Sequence, residues 1–163
     1  IGKLAAGNMY TGNYLRTEGT NGVLNFGKQF TQRPTRLKGY FKYTSVEINK
    51  SNDEMKYLIG QPDTCQIFIA LGDWSEPVEI RTKPSDRKLF DKNDPHIIAY
   101  ADMYSGKSVT EYTPFTLELE YRDTDRIPTY IVVVASASKY GDYFTGGDGS
   151  VLFLDDFTLE YDY

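Results

Sequence analysis

The sequence predicts an all-β fold, a jelly-roll sandwich of two antiparallel sheets with at most one short helix. Three observations lead there. Short segments alternate apolar and polar side chains or run apolar throughout. Clusters of Gly, Pro, Asn and Asp punctuate the intervals between them. Helical periodicity is nearly absent, and about eight short strands separated by turns suit a sandwich. The 163 residues make one domain, 1–163, large enough to bury a real core.

The elements follow in order. LKGYFKYT (37–44) sets Leu37, Gly39, Phe41 and Tyr43 on one face and Lys38, Tyr40, Lys42 and Thr44 on the other. SNDEMKYLI (51–59) is the best helical candidate, one or two turns with Ser51 or Asn52 as N-cap. CQIFIALGDW (65–74) begins as a nearly continuous apolar strand and ends in a Gly-Asp turn signal. PVEIRT and HIIAYADMY read as shorter strands. FTLELEY (115–121) points Phe115, Leu117, Leu119 and Tyr121 inward. TYIVVVASAS (129–138) is the most apolar run and reads as a central strand covered on both faces. GGDGS reads as a hairpin turn whose glycines accept positive φ. In VLFLDDFTLEY (151–161) the alternation Val151, Phe153, Asp155, Phe157, Leu159 places Asp155 in the apolar register and turns Asp156 to solvent.

Composition excludes several classes of function. A net charge of −5 and a pI near 4.9 argue against a nucleic-acid partner, which needs a basic surface. No apolar run is long enough to span a membrane, and the chain opens without a signal-peptide pattern. The lone cysteine, Cys65, beside IFIAL, reads as a buried inert thiol. One cysteine and one histidine, His96, exclude a zinc cluster and most catalytic triads. Aromatic residues make up 15% of the chain, with fourteen tyrosines, which suits a ligand-binding surface and equally a strand-rich fold.

LKGYFKYT, IFIALGDW and YRDTDRIPTYIVVVASASKYGDYFTGGDGSVLFLDDFTLEYD together resemble the putative carbohydrate metabolism domain (PCMD) family, over about Gly7 to Asp162. GNMYTGNY and FTQRPTRLKGYFKYT fit its beginning, and SKYGDYFTGGDGS is the most specific segment. The resemblance implies a jelly roll similar to carbohydrate-binding modules. It implies secreted or surface proteins of gut commensal bacteria, at the cell surface or in the periplasm, with lipid anchoring through a preceding region as one route. It also implies an immunoglobulin-like domain N-terminal to this one in a longer protein. No catalytic residues transfer from the family, and the segment KYTSVEINKSNDEMKYLIGQPDTC departs from the compact turn expected there.

Two functional readings of the side chains stay open against structural ones. Non-catalytic glycan recognition would use Trp74, Tyr40 and Tyr143 to stack on sugar rings and Lys42, Asp142 and Lys139 to bond hydroxyls. The same aromatics could instead cap the core or close one end of the sandwich, as an accessory module that mediates protein contact would have them do. A glycoside hydrolase needs two carboxyl groups roughly 5–9.5 Å apart across the scissile bond. Asp155 and Asp156, as strand neighbours, point to opposite faces, so hydrolysis would need a distant acid such as Asp73, Asp102 or Glu118. An inward Asp155 needs a cation or several hydrogen-bond donors. By analogy with jelly-roll carbohydrate-binding modules it is expected to hold a structural calcium ion, with Gly7, Asn8 or Thr11 supplying further oxygens. A hydrogen-bonded Asp155 on the amides of the first strand is the alternative.

Overall fold

The computed structural model describes residues 3–162. Its strands are β1 (Asn8–Tyr10), β2 (Gly12–Glu18), β3 (Asn21–Phe26), β4 (Lys28–Gln29), β5 (Arg36–Thr44), β6 (Cys65–Gly72), β7 (Val78–Arg81), β8 (Ile97–Ser105), β9 (Val109–Glu118), β10 (Glu120–Tyr121), β11 (Tyr130–Ser136) and β12 (Val151–Glu160). They form a six-stranded sheet in the order β1-β11-β6-β8-β10, with β4 also on β11, and two three-stranded sheets, β12-β5-β9 and β2-β3-β7. All pairings are antiparallel. The chain crosses between the two facing sheets from β5 to β6, β8 to β9 and β11 to β12, as a jelly roll does.

Strand alternation builds the core. In β6, Cys65, Ile67, Ile69 and Leu71 face the β12-β5-β9 sheet, joined by Ile131, Val133 and Ala135 of β11. From the facing sheet come Leu37, Phe41 and Tyr43 of β5 and Phe115 and Leu117 of β9, on the predicted faces. Gly39 belongs to this inner face because a Cβ there would lie 2.7 Å from Phe157 and 2.8 Å from Phe115. The other faces of β6 and β11 carry Phe68, Ala70, Val132 and Val134, which pack against Phe26 of β3 and Val78 of β7. The β2-β3-β7 sheet therefore covers part of the outer face of the large sheet. This explains why β11 reads as apolar on both sides, and it adds a third sheet to the expected two.

One expectation needs correction, and one pair of alternatives resolves. The strand β12 carries a bulge: Asp155 pairs with Tyr40 but Thr158 with Lys38, and Asp156 takes φ 54°. The extra residue reverses the alternation. Leu152 and Leu154 point inward before the bulge, Phe157 and Leu159 after it, and both Asp155 and Asp156 are exposed. Trp74, read either as a stacking residue or as a cap on the core, is the cap: it is only 7% exposed, its ring lies over Gly72 and its Nε1 donates to Asp94 Oδ2 at 2.9 Å.

The helical expectation resolves into a 3₁₀ segment, Asp53–Leu58, with the Asn52 side chain accepting from Met55 N at 3.0 Å. Among the described residues no helix is long and apolar enough to cross a membrane.

Candidate functional site

The outer face of the large sheet is left uncovered beside the β2-β3-β7 sheet, and a hollow of about 260 Å³ lies there. Strand register makes its floor in rows. One row crosses the sheet as Asn8, Ser136, Gln66 and Tyr104, all polar. The next runs Tyr10, Val134, Phe68 and Asp102, largely apolar. Leu24 and Phe26 of β3 and the segment carrying Leu89, Phe90 and Lys92 form one wall, and Ser138 to Tyr143 the other.

The polar side chains of the floor are mutually oriented. Tyr100 and Tyr104 donate their hydroxyls to Asp102 Oδ2 at 3.1 and 3.3 Å, and Gln66 Nε2 donates to Tyr104 Oη at 3.1 Å. Burial, and secondarily the neighbouring Asp102, holds both phenols above the ordinary tyrosine value, so they remain donors. Phe90 stacks on Phe68 with ring centroids 5.1 Å apart and meets Trp74 edge-on at 6.1 Å. Trp74 thus supports the site's aromatic wall from beneath.

The 138–143 wall carries three of the residues singled out from sequence. Lys139 Nζ sits 4.6 Å above the Tyr104 ring and 5.0 Å from that of Tyr140. Asp142 reaches solvent, yet protein surrounds it closely. That crowding raises its carboxyl above the ordinary value, with Arg87 pulling the other way. Tyr143 stacks on the Arg87 guanidinium at 4.4 Å, and Arg87 Nη1 also donates to both oxygens of Glu54, at 3.0 and 3.1 Å. Arg87 Nε and Nη2 are buried without a protein partner, and the Tyr143 ring face supplies part of what they lack.

The unexpected insertion after β5 holds this wall in place. Asp63, 1% exposed, accepts from Ser138 Oγ at 2.6 Å, Gly147 N at 2.8 Å and Thr64 N at 2.8 Å. Lys50 and Gly146 exchange backbone hydrogen bonds, and Asn49 Oδ1 accepts from Asp148 N. GGDGS is therefore a docked crossover turn between two sheets and not the expected hairpin, with only Gly149 of its glycines at positive φ, and it is pinned where a buried carboxyl group needs donors.

The other sequence-predicted residues lie elsewhere. Tyr40 and Lys42 are on the outer face of the β12-β5-β9 sheet, with Lys42 Nζ near the Phe153 and Tyr112 rings at 4.6 and 5.3 Å. They cannot act together with Lys139, Asp142 and Tyr143, because the sandwich lies between the two outer faces.

The donors expected around a calcium ion do not share a face. Gly7 and Asn8 line a shallow recess with Leu154, whereas Asp155 is on the opposite side of β12 from Leu154. Gly7 O accepts from Ala137 N, and Thr11 Oγ1 is taken up by the backbone of Ile131 and Val133. Calcium needs six to eight converging oxygens, and these four residues do not fit that requirement. Among the described residues no group of three or more His, Cys, Asp or Glu is placed to hold a metal ion.

Sequence reasoning missed Gln66, Phe68, Tyr100, Tyr104 and Ser136. A signal was present: Gln66 and Ser136 are polar residues within the most apolar strands, and Asp102 and Tyr104 stand two apart on one face of β8.

The molecule is thus an all-β sandwich with a hollow on one outer sheet face, lined by aromatic and hydrogen-bonding side chains. The chain belongs to the family described as putative carbohydrate metabolism domain, whose model matches residues 2–160. Among solved structures, one described as a putative glycoside hydrolase from Bacteroides thetaiotaomicron VPI-5482 is similar at TM-score 0.65 and 22% identity, over 88% of this chain and 47% of that one. Another, described as a putative glycoside hydrolase from Bacteroides vulgatus ATCC 8482, is similar at TM-score 0.72 and 24% identity, over 96% of this chain and 64% of that one. At these identities the likeness is one of fold, and the chain spans about half to two thirds of each. No curated protein matches the chain.

Proposed function

We propose that the domain binds glycans without cleaving them, in the hollow on the outer face of the large sheet. One observation carries this: a polar row, Asn8, Ser136, Gln66 and Tyr104, runs beside an aromatic wall of Phe26, Phe68 and Phe90. A sugar ring presents C–H faces that pack on flat rings and a rim of hydroxyls that need planar polar partners. Lys139, Asp142 and Tyr143 of the facing wall supply further partners. The family's carbohydrate-related role supports the reading. Its expected place is outside the cytoplasm, beside an immunoglobulin-like domain in a longer protein.

A hydrolytic reading is favoured by one arrangement. Asp142, with its raised carboxyl value, lines the hollow, and Asp102 stands behind the floor residues Tyr100 and Tyr104, whose hydroxyls it accepts; glycoside hydrolysis requires two carboxyl groups flanking the bond that breaks. A glycan array followed by calorimetry and product analysis separates the two. Saturable binding with the glycan recovered intact supports recognition. Release of reducing ends that is lost in both Asp102→Asn and Asp142→Asn establishes hydrolysis. Absence of binding across the array refutes both.

A further inference from the structure

The walls of the hollow limit which part of a glycan it can hold. The segment after β7 first meets the opposite wall through the Arg87–Tyr143 stack and then lays Phe90 against Phe68 on the floor. Arg87 is tied in turn to Glu54 of the 3₁₀ segment, so this junction is braced from behind. The two walls therefore touch at that end of the hollow. The volume of about 260 Å³ falls below the roughly 300–1,000 Å³ usual for small-molecule sites.

We propose that the hollow takes the end of a glycan, one or two sugar rings, and not a stretch from the middle of a chain; this rests on the glycan-binding reading above. The chemistry of the floor agrees. A terminal ring keeps hydroxyls that an internal ring has lost to glycosidic bonds, and each must find a partner when water is excluded. Asn8, Gln66 and Tyr104 provide donors and acceptors in one row of the floor, with Asp102 of the next row accepting from Tyr104.

The test is calorimetry of the intact protein with glucose, mannose, galactose and xylose, and with the β-linked di- and hexasaccharide of each. In the series that binds, the disaccharide is expected to reach the affinity of the hexasaccharide within about twofold. A hexasaccharide bound tenfold or more tightly than the disaccharide, about 1.4 kcal/mol, overturns the end-binding proposal and leaves glycan recognition standing. No binding in any series overturns both.

Discussion

Asp63→Ala removes the acceptor that joins the insertion after β5 to the wall of the hollow. Three donors lose their partner: Ser138 Oγ, Gly147 N and Thr64 N. Each buried donor left unsatisfied costs roughly 1–3 kcal/mol. Some relaxation of the 138–148 segment and entry of water lower the sum, so about 3–5 kcal/mol of destabilisation is expected. For a domain of this size each kcal/mol shifts the melting temperature by about 2–4 °C, which predicts a fall of roughly 6–20 °C. Thermal melting and urea titration measure it, with Asp63→Asn as the milder variant that keeps one acceptor oxygen. A fall under about 3 °C for the alanine variant would refute the assignment of Asp63 as the anchor of this wall.

Three further outcomes follow from the same geometry. Asp142 has a carboxyl raised above its ordinary value of 3.8 by crowding, so the folded state holds its proton more tightly than the unfolded chain. Its ionisation therefore opposes folding as pH rises above 3.8. Asp142→Asn should be at least as stable as the native chain at pH 7, with any advantage gone at pH 3; an advantage confined to pH 3 contradicts this. The Cys65 thiol is buried and pushed up to about 11, so a disulfide reagent at pH 8 should react only with the unfolded chain, and rapid native reaction would contradict that burial. Because Asp155 faces water and Thr11 is engaged by β11, EDTA should leave the melting temperature unchanged; a fall of several degrees reversed by calcium would reinstate an ion at other donors.

Much of the sandwich was legible because its strands bury one face and expose the other. Leu37, Phe41 and Tyr43, and Phe115, Leu117 and Leu119, are buried as their alternation required. The first thirty residues were not legible as strands. In β2, Asn13 to Thr17 are all exposed, so no apolar face marks the strand, and its pairing with β3 shifts between Tyr14 and Arg16. The register of β12 failed at Asp155 because a bulge inserts one residue, and neither acid announces that insertion beforehand. Trp74 was legible only as two alternatives, and Gly72, which leaves room for the indole to fold back over the sheet, selects the buried one. In the candidate site, the KYGDYF loop was legible from its local concentration of aromatics, and the structure sets Lys139, Asp142 and Tyr143 along the hollow. The floor was missed because its residues are spread over β1, β6, β8 and β11 and meet only through the register of the sheet.

Glycan is expected to bind in the hollow on the large sheet and not on the opposite outer face. Calorimetric titration of one array-selected glycan into the native domain, Gln66→Ala, Tyr143→Ala, Tyr40→Ala and Lys42→Ala tests it directly. Each of the first two removes a hydrogen-bonding or stacking partner worth about 1 kcal/mol or more, so affinity should fall roughly fivefold or further. Tyr40→Ala and Lys42→Ala should leave it unchanged. Loss of binding on changing Tyr40 or Lys42, with Gln66→Ala and Tyr143→Ala behaving as the native protein, would place the ligand on the other sheet and contradict the account.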